Sequence, residues 1–319
     1  MFSWQPLGKL FEPQALNLLG NQAEYAQSPQ LIDLGDRLRV YFCSRIRDKP
    51  GHYISHPQWV DFTPNLKSII SISSSPLLPP ASLGAFDEHG IFPFSPILHE
   101  GQVYAYTCGW SRRVSVPVET ATGLAISRDG GNTFERYGSG PVLSPSLNEP
   151  YLVGDSFVLH THGQFHMWYM FGTAWHRSAS SNTPERTYKI GHAVSDDGIN
   201  WKKDEARQII PDVIGPLESQ ALPSVIELNG RFHMVFCYRQ SFDFRHNHAR
   251  SYRIGYAFSD DLESWTRDDK SLNLHSQGDW DSEMMSYPNI CRGGQSVYLL
   301  YNGNHFGRNG FGAFKLMSP

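Results

Sequence analysis

The stretch Ser28-Pro29-Gln30-Leu31-Ile32-Asp33-Leu34-Gly35-Asp36-Arg37-Leu38-Arg39-Val40-Tyr41-Phe42-Cys43-Ser44-Arg45 decides the fold. An extended apolar run leads from a proline into a turn marked by Gly35-Asp36. A second extended run, rich in β-branched and aromatic residues, leads away from it. That is the pattern of a β-hairpin. It returns four times, with second runs at Val103 to Trp110 (VYAYTCGW), Phe165 to Gly172 (FHMWYMFG), Phe232 to Arg239 (FHMVFCYR) and Val297 to Asn304 (VYLLYNGN). Placed in register, Cys43, Cys108, Met170, Cys237 and Asn302 stand 65, 62, 67 and 65 residues apart, so five periods fill the 319 residues.

Each first run starts about 14 residues before its register point, at Pro29, Pro96, Pro223 or Pro288, with Ser156 in the third unit. The turns are Gly35-Asp36, Glu100-Gly101, His162-Gly163, Asn229-Gly230 and Gly293-Gly294, strong hairpin signals. A third strand then enters a second hairpin, seen as Ser127-Arg128-Asp129-Gly130-Gly131-Asn132-Thr133-Phe134, Ser195-Asp196-Asp197-Gly198-Ile199-Asn200-Trp201 and Ser259-Asp260-Asp261-Leu262-Glu263-Ser264-Trp265. The first of these fits the Asp-box pattern S-x-D-x-G-x-T-F, in which the Asp folds back on turn amides. Four antiparallel strands per unit and five units predict an all-β, five-bladed β-propeller. No break in composition divides the chain, so one propeller domain is expected over residues 1–319. The last unit lacks an outer strand, which the segment Trp4 to Phe11 is expected to supply beside Gly312 to Leu316.

Composition narrows the function. Gly (28) and Pro (21) are plentiful, aromatics reach 13% and charged residues only 18%, which suits short strands and tight turns. A net charge of −4 excludes a generic nucleic-acid binder, which needs a basic face. No apolar run approaches the ~20 residues that span a bilayer, and Met1-Phe2-Ser3-Trp4-Gln5-Pro6 lacks the pattern of a signal peptide. Four dispersed cysteines without a CxxC pair fit a reducing compartment, so a cytoplasmic protein is expected. GxxxxGK[ST], GxSxG and HExxH are all missing, and nothing in the sequence specifies a metal ion or a cofactor.

Blade geometry says where chemistry can sit. Both hairpins of each unit fall on one face of the disc. The segments leading into the inner strands fall on the other, together with the ends of the second strands. Those lead-in segments carry Glu24, then Asp87, Glu88 and His89, then Glu149 and Asp155, then Glu218, then Asp281 and Glu283. Every unit thus sends a carboxylate toward one end of the central funnel. The second-strand ends contribute Arg45, Trp110, Arg239 and Asn304, with Trp175 just beyond Gly172. Aromatic faces stack on the apolar faces of sugars and planar polar groups bond their hydroxyls, so a saccharide or glycoconjugate is the expected partner. The sequence leaves the oligomeric state open.

The stretches FDEHG, SRDGGNTF, MWY, SDDGINW, WDSEM and YNGN together resemble those of five-bladed propeller glycosidases, the clans containing glycoside hydrolase families 43, 62, 32, 68 and 130. The resemblance runs over almost the whole chain. It implies catalytic carboxylates drawn from separate blades, with Asp87 in the place of the second-blade Asp and Glu218 in that of the general acid. Where those enzymes carry a first-blade Asp, this chain reads Ala26-Gln27-Ser28-Pro29, so Glu24, Glu283 or Asp281 takes the role of base, or the protein is not an ordinary hydrolase. The expectation is an inverting glycoside hydrolase-like enzyme with Asp87, Glu218 and Glu283 converging near the axis. Arg45 or Arg239 would offset their charge, and Glu88, His89, Trp110, Glu149, Trp175, Asp281 and Asn304 would serve substrate binding. Two alternatives stay open: a non-catalytic sugar-binding propeller, and a propeller recruited for phosphorolysis, transfer or cyclisation.

Overall fold

The computed structural model describes residues 1–16, 23–48, 50–178 and 181–318. Strand β1 (Ser3–Phe11) opens the chain. Blade one follows with β2 (Glu24–Asp33), β3 (Leu38–Arg47), β4 (Tyr53–Phe62) and β5 (Ile69–Ile72). Blade two is β6 (Ile91–His99), β7 (Gln102–Arg112), β8 (Val118–Ser127) and β9 (Glu135–Arg136). Blade three is β10 (Val153–Thr161), β11 (Gln164–Ser178), β12 (Ser181–Ser195) and β13 (Lys202–Lys203). Blade four is β14 (Glu218–Leu228), β15 (Arg231–Gln240), β16 (Arg253–Ser259) and β17 (Thr266–Arg267). Blade five is β18 (Ser286–Gly293), β19 (Ser296–Asn302) and β20 (Phe311–Ser318), with β1 as its fourth strand. Each blade is an antiparallel meander, and β1 runs antiparallel to β20 with Trp4 opposite Leu316. The expected propeller and its closure by the N-terminal strand are both present. No helix among the described residues is long and apolar enough to cross a membrane.

Local chemistry explains the hairpins. At Glu100-Gly101, His162-Gly163 and Asn229-Gly230 both turn residues have positive φ, the two-residue turn whose twist matches the flanking strands. In the second hairpins, Asp129 accepts from the N–H groups of Asn132 and Thr133 at 3.0 Å. Burial raises its carboxyl pKa, but the hydroxyl bonds from Ser127 and Thr133, with these amides, outweigh it and hold it at about 2. Asp197 and Asp261 repeat the arrangement, each also taking the hydroxyl of the serine two residues earlier. Neighbouring blades are tied through these turns, because the Tyr41 hydroxyl donates to the Gly131 carbonyl and the Tyr106 hydroxyl to that of Gly198, both at 2.9 Å. The apolar core is divided among the gaps between blades. Val40 and Phe42 of blade one, for example, meet Leu300, Phe311 and Ala313 of blade five.

One detail of the inner strands shapes everything at the axis. Each inner strand slips by a residue against its second strand, between Gln27 and Gln30, Ile91 and Phe94, Gly154 and Phe157, Ala221 and Ser224, and Ser286 and Asn289. These are β-bulges, which bend a strand and re-aim a side chain. Ser28, Asp155, Leu222 and Tyr287 sit there with φ of +52°, +51°, +49° and +55°. In blade two the slip lies around Phe92-Pro93. Pro96, aligned with Pro29 by spacing, lies beyond it in regular ladder opposite Ala105. The sequence alignment of that unit is therefore off by three residues, since Pro93 and not Pro96 stands where Pro29, Pro223 and Pro288 do.

Candidate active site

A cavity of about 370 Å³ opens on the axis, within the usual ~300–1,000 Å³ of small-molecule sites. The bulges furnish its deep wall with Phe92, Asp155, Leu222 and Tyr287. The second strands furnish Arg45, Cys108, Trp110, Met170 and Arg239, and the third strands Thr120, Arg186 and Tyr188. Loops above blade four add Phe244, Arg245 and Tyr252. Of the anticipated site residues, Arg45, Trp110 and Arg239 reach this cavity.

Asp155 is the single carboxylate among the described lining residues. Protein surrounds it on every side except the cavity, and this desolvation lifts its pKa from 3.8 to about 7. The charge of Arg186 and a hydrogen bond with the Cys108 thiol pull the other way without undoing the rise. Around it the cavity is cationic. Arg45 has a buried Nε with no hydrogen-bond partner among the described residues. Arg186 lies over the Trp175 ring at 5.5 Å. Arg239 is 1% exposed and packs against the Phe244 ring at 3.6 Å, while its Nε donates to the Tyr188 hydroxyl at 3.2 Å. Tyr188 and Tyr252 share a hydrogen bond of 2.6 Å between their hydroxyls.

The expected convergence of Asp87, Glu218 and Glu283 is not found. Asp87 is buried beside blade two's outer strand, where it takes Arg136 Nε at 2.8 Å and Nη2 at 2.7 Å. Glu218 has no exposed surface and is filled by Arg267 at 2.5 Å, Gln220 at 2.9 Å and the N–H groups of Val213 and Ile214 at 2.8 and 3.0 Å. Glu149 is held in the same manner by Lys203 and the Tyr169 hydroxyl, both at 2.8 Å. In these three blades the lead-in acid clamps onto a cation of the same blade's outer strand. Blade five repeats the device with neutral partners, since Asp281 accepts from the Tyr301 hydroxyl at 2.5 Å and the N–H groups of Gln277 and Gly278 at 3.0 Å. Recurrence in successive blades, which suggested convergence, marks a blade-building contact instead.

The remaining expectations also shift. Glu283 is 41% exposed by side chain, stands 3.3 Å from His248 and lies away from the cavity lining. Glu88 accepts from the Gly84 N–H at 3.2 Å. His89 stacks on Trp110 at 5.6 Å and so supports a cavity residue from behind. Trp175 does the same for Arg186. Asn304 is buried and caps the N–H groups of Glu283 and Met284 at 3.0 and 3.1 Å. Glu24 accepts from the hydroxyl of the rim residue Tyr53 at 3.1 Å.

No family model matches this chain. The uncharacterized protein Rv1502 of Mycobacterium tuberculosis (strain H37Rv) is 30% identical over 315 residues, 97% of this chain and 98% of that one. A β-1,2-mannobiose phosphorylase of Thermoanaerobacter sp. (strain X514) is 28% identical over 141 residues, 41% of this chain and 43% of that one. Among solved structures, a glycoside hydrolase superposes with a TM-score of 0.73 at 14% identity, covering 100% of this chain and 92% of its own. At that identity the likeness is one of fold, and it is the glycoside hydrolase-like propeller fold.

Proposed function

Because the chain belongs to the family of the Mycobacterium tuberculosis protein Rv1502 and carries the propeller of glycoside hydrolases, we propose that it acts on a glycosidic bond in the axial cavity, with Asp155 as the proton donor. One observation carries this reading: burial raises the pKa of Asp155, the one carboxyl among the described lining residues, to about 7. A general acid works best when its pKa lies near the working pH, so that it is protonated yet ready to give the proton up. Leaving-group oxygens of sugars need such a proton. Trp110, Tyr188 and Tyr287 offer ring faces for stacking, and the buried, unpartnered Thr120 hydroxyl offers a bond to a sugar hydroxyl.

The two-carboxylate layout of an inverting hydrolase is not supported by this wall. Such enzymes need a second carboxylate ~6.5–9.5 Å away to activate water, and no other acid is among the described lining residues. The attacking group must then be one that needs no base on the cavity wall. Matching to the mannobiose phosphorylase supports a group transfer of this kind. Four unpaired cysteines support a reducing compartment such as the cytoplasm.

Testing starts with a panel of disaccharides and nitrophenyl glycosides, each with and without phosphate. Asp155→Asn should lower turnover of disaccharides by roughly 10²–10⁴, the usual contribution of a positioned acid. Nitrophenyl glycosides, whose leaving group needs little protonation, should lose far less. Saccharide binding without turnover across the panel would instead identify a sugar-binding module.

A further inference from the structure

We propose that the axial cavity is built around an oxyanion, borne on the saccharide or free as phosphate, held by Arg45, Arg186 and Arg239. The proposal rests on the reading of the cavity as the substrate site. The molecule supplies its own comparison. Arg39 and Arg267 are as deeply buried as Arg239, and each is neutralised: Arg39 lies 2.7 Å from Asp61, and Arg267 lies 2.5 Å from Glu218 and 2.9 Å from Asp269. Arg239 has no carboxylate within ion-pair distance among the described residues. Its partners are the Tyr188 hydroxyl, the Gln240 carbonyl at 2.8 Å and aromatic rings, all neutral.

Arg45 and Arg239 stand at one register position of blades one and four, two residues beyond Cys43 and Cys237. Arg45 has an orphaned, buried Nε and lies over the Tyr25 ring at 5.1 Å. Arg186 faces the charge of Asp155 and has no carboxylate within ion-pair distance among the described residues. A lone buried guanidinium costs several kcal/mol when nothing offsets it. Arg239 is such a group, and the half-buried Arg45 and Arg186 line the same cavity, so together they form a receptor for negative charge. The planar fork of arginine pairs two donors with a carboxylate or phosphate, a geometry that a neutral hydroxyl does not exploit.

The test is calorimetric titration at low ionic strength with inorganic phosphate, hexuronates, hexose phosphates and the matching neutral hexoses. At least one anionic probe should bind tenfold or more tightly than its neutral counterpart. Arg45→Gln should erase that preference with little change in the melting temperature, because the Arg45 side chain makes no hydrogen bond or ion pair among the described residues. Tight binding of phosphate alone assigns the anion to a free co-substrate. Binding of acidic sugars without phosphate binding assigns it to the saccharide. The proposal is overturned if no anionic probe exceeds its neutral counterpart, or if the preference survives in Arg45→Gln. Asp155→Asn separates the two readings, since it should lower disaccharide turnover by roughly 10²–10⁴ and keep anion binding. Turnover retained in that variant removes the proton donor and leaves the anion site to the titrations.

Discussion

Replacing Asp155 by Asn keeps size and shape and removes one titration. Burial lifts this carboxyl from 3.8 to about 7 in the folded protein. The folded state therefore keeps its proton at pH values where the unfolded chain has lost it, so the group's contribution to stability is intact below about pH 4, declines as pH rises and levels off above about pH 7. At 1.36 kcal/mol per pKa unit the full deficit is about 4 kcal/mol, of which about 2.5 accrues between pH 5 and pH 8. Water in the cavity screens part of this charge, which reduces the expected change over that window to about 2 kcal/mol. Urea melts of both proteins at pH 5, 6, 7 and 8 measure it, since histidines and other carboxylates cancel in the difference. The variant should gain on the wild type by about 2 kcal/mol between pH 5 and pH 8. A difference that is flat or shrinks with pH would mean that Asp155 is ionised well below neutrality, and the proton-donor assignment would fall with it.

Other expectations follow from the same contacts. Glu218→Ala removes one of Arg267's two carboxylate partners and leaves the N–H groups of Val213 and Ile214 without their acceptor. It should cost about 3 kcal/mol in a denaturant melt, while the molecules that remain folded turn over normally; a selective loss of kcat would restore Glu218 to the chemistry. Gly131→Ala places a methyl group 2.0 Å from the Tyr41 hydroxyl at a φ of +84°, so a loss of about 1–3 kcal/mol is expected by calorimetry, and a neutral result would show that the blade one to blade two tie is dispensable. Deleting residues 1–11 uncovers the outer edge of β20, and size-exclusion chromatography should show association in place of a monodisperse peak.

The fold was legible because its signals are local and repeated. Turns such as Asn229-Gly230 and serine–aspartate hairpins such as Ser195 to Trp201 act within a few residues, so reading each unit against the others averages out the noise. The site was less legible for the same reason. Asp87, Glu149, Glu218 and Asp281 stood out by recurring, yet recurrence follows from a contact that the blades need in order to form. Asp155 appears in one blade, and its setting depends on a bulge that sequence spacing does not reveal. A sharper signal lay in the dipeptides at the bulges, Ser28-Pro29, Phe92-Pro93, Asp155-Ser156, Leu222-Pro223 and Tyr287-Pro288, of which one carries a carboxyl group. Taking Pro96 for the second of these hid the comparison. Arg45 and Arg239 were recoverable because their cysteine neighbours fix the strand phase, whereas the absence of carboxylate partners is a property of three dimensions.

The bulges bear on how such a protein diverges. Four of them hold a non-glycine residue in the left-handed region, and the occupants are as different as serine, aspartate, leucine and tyrosine. The backbone detour is thus indifferent to what it displays. A codon change at one of these positions alters the chemistry of the cavity and leaves strand pairing, blade contacts and ring closure untouched. Leu222→Asp would bring a second acid to the wall that now has one. Descendants of one ancestral ring can in this way acquire or discard a reaction within a few substitutions, while sequence identity elsewhere drifts under the sole demand that the blades keep packing.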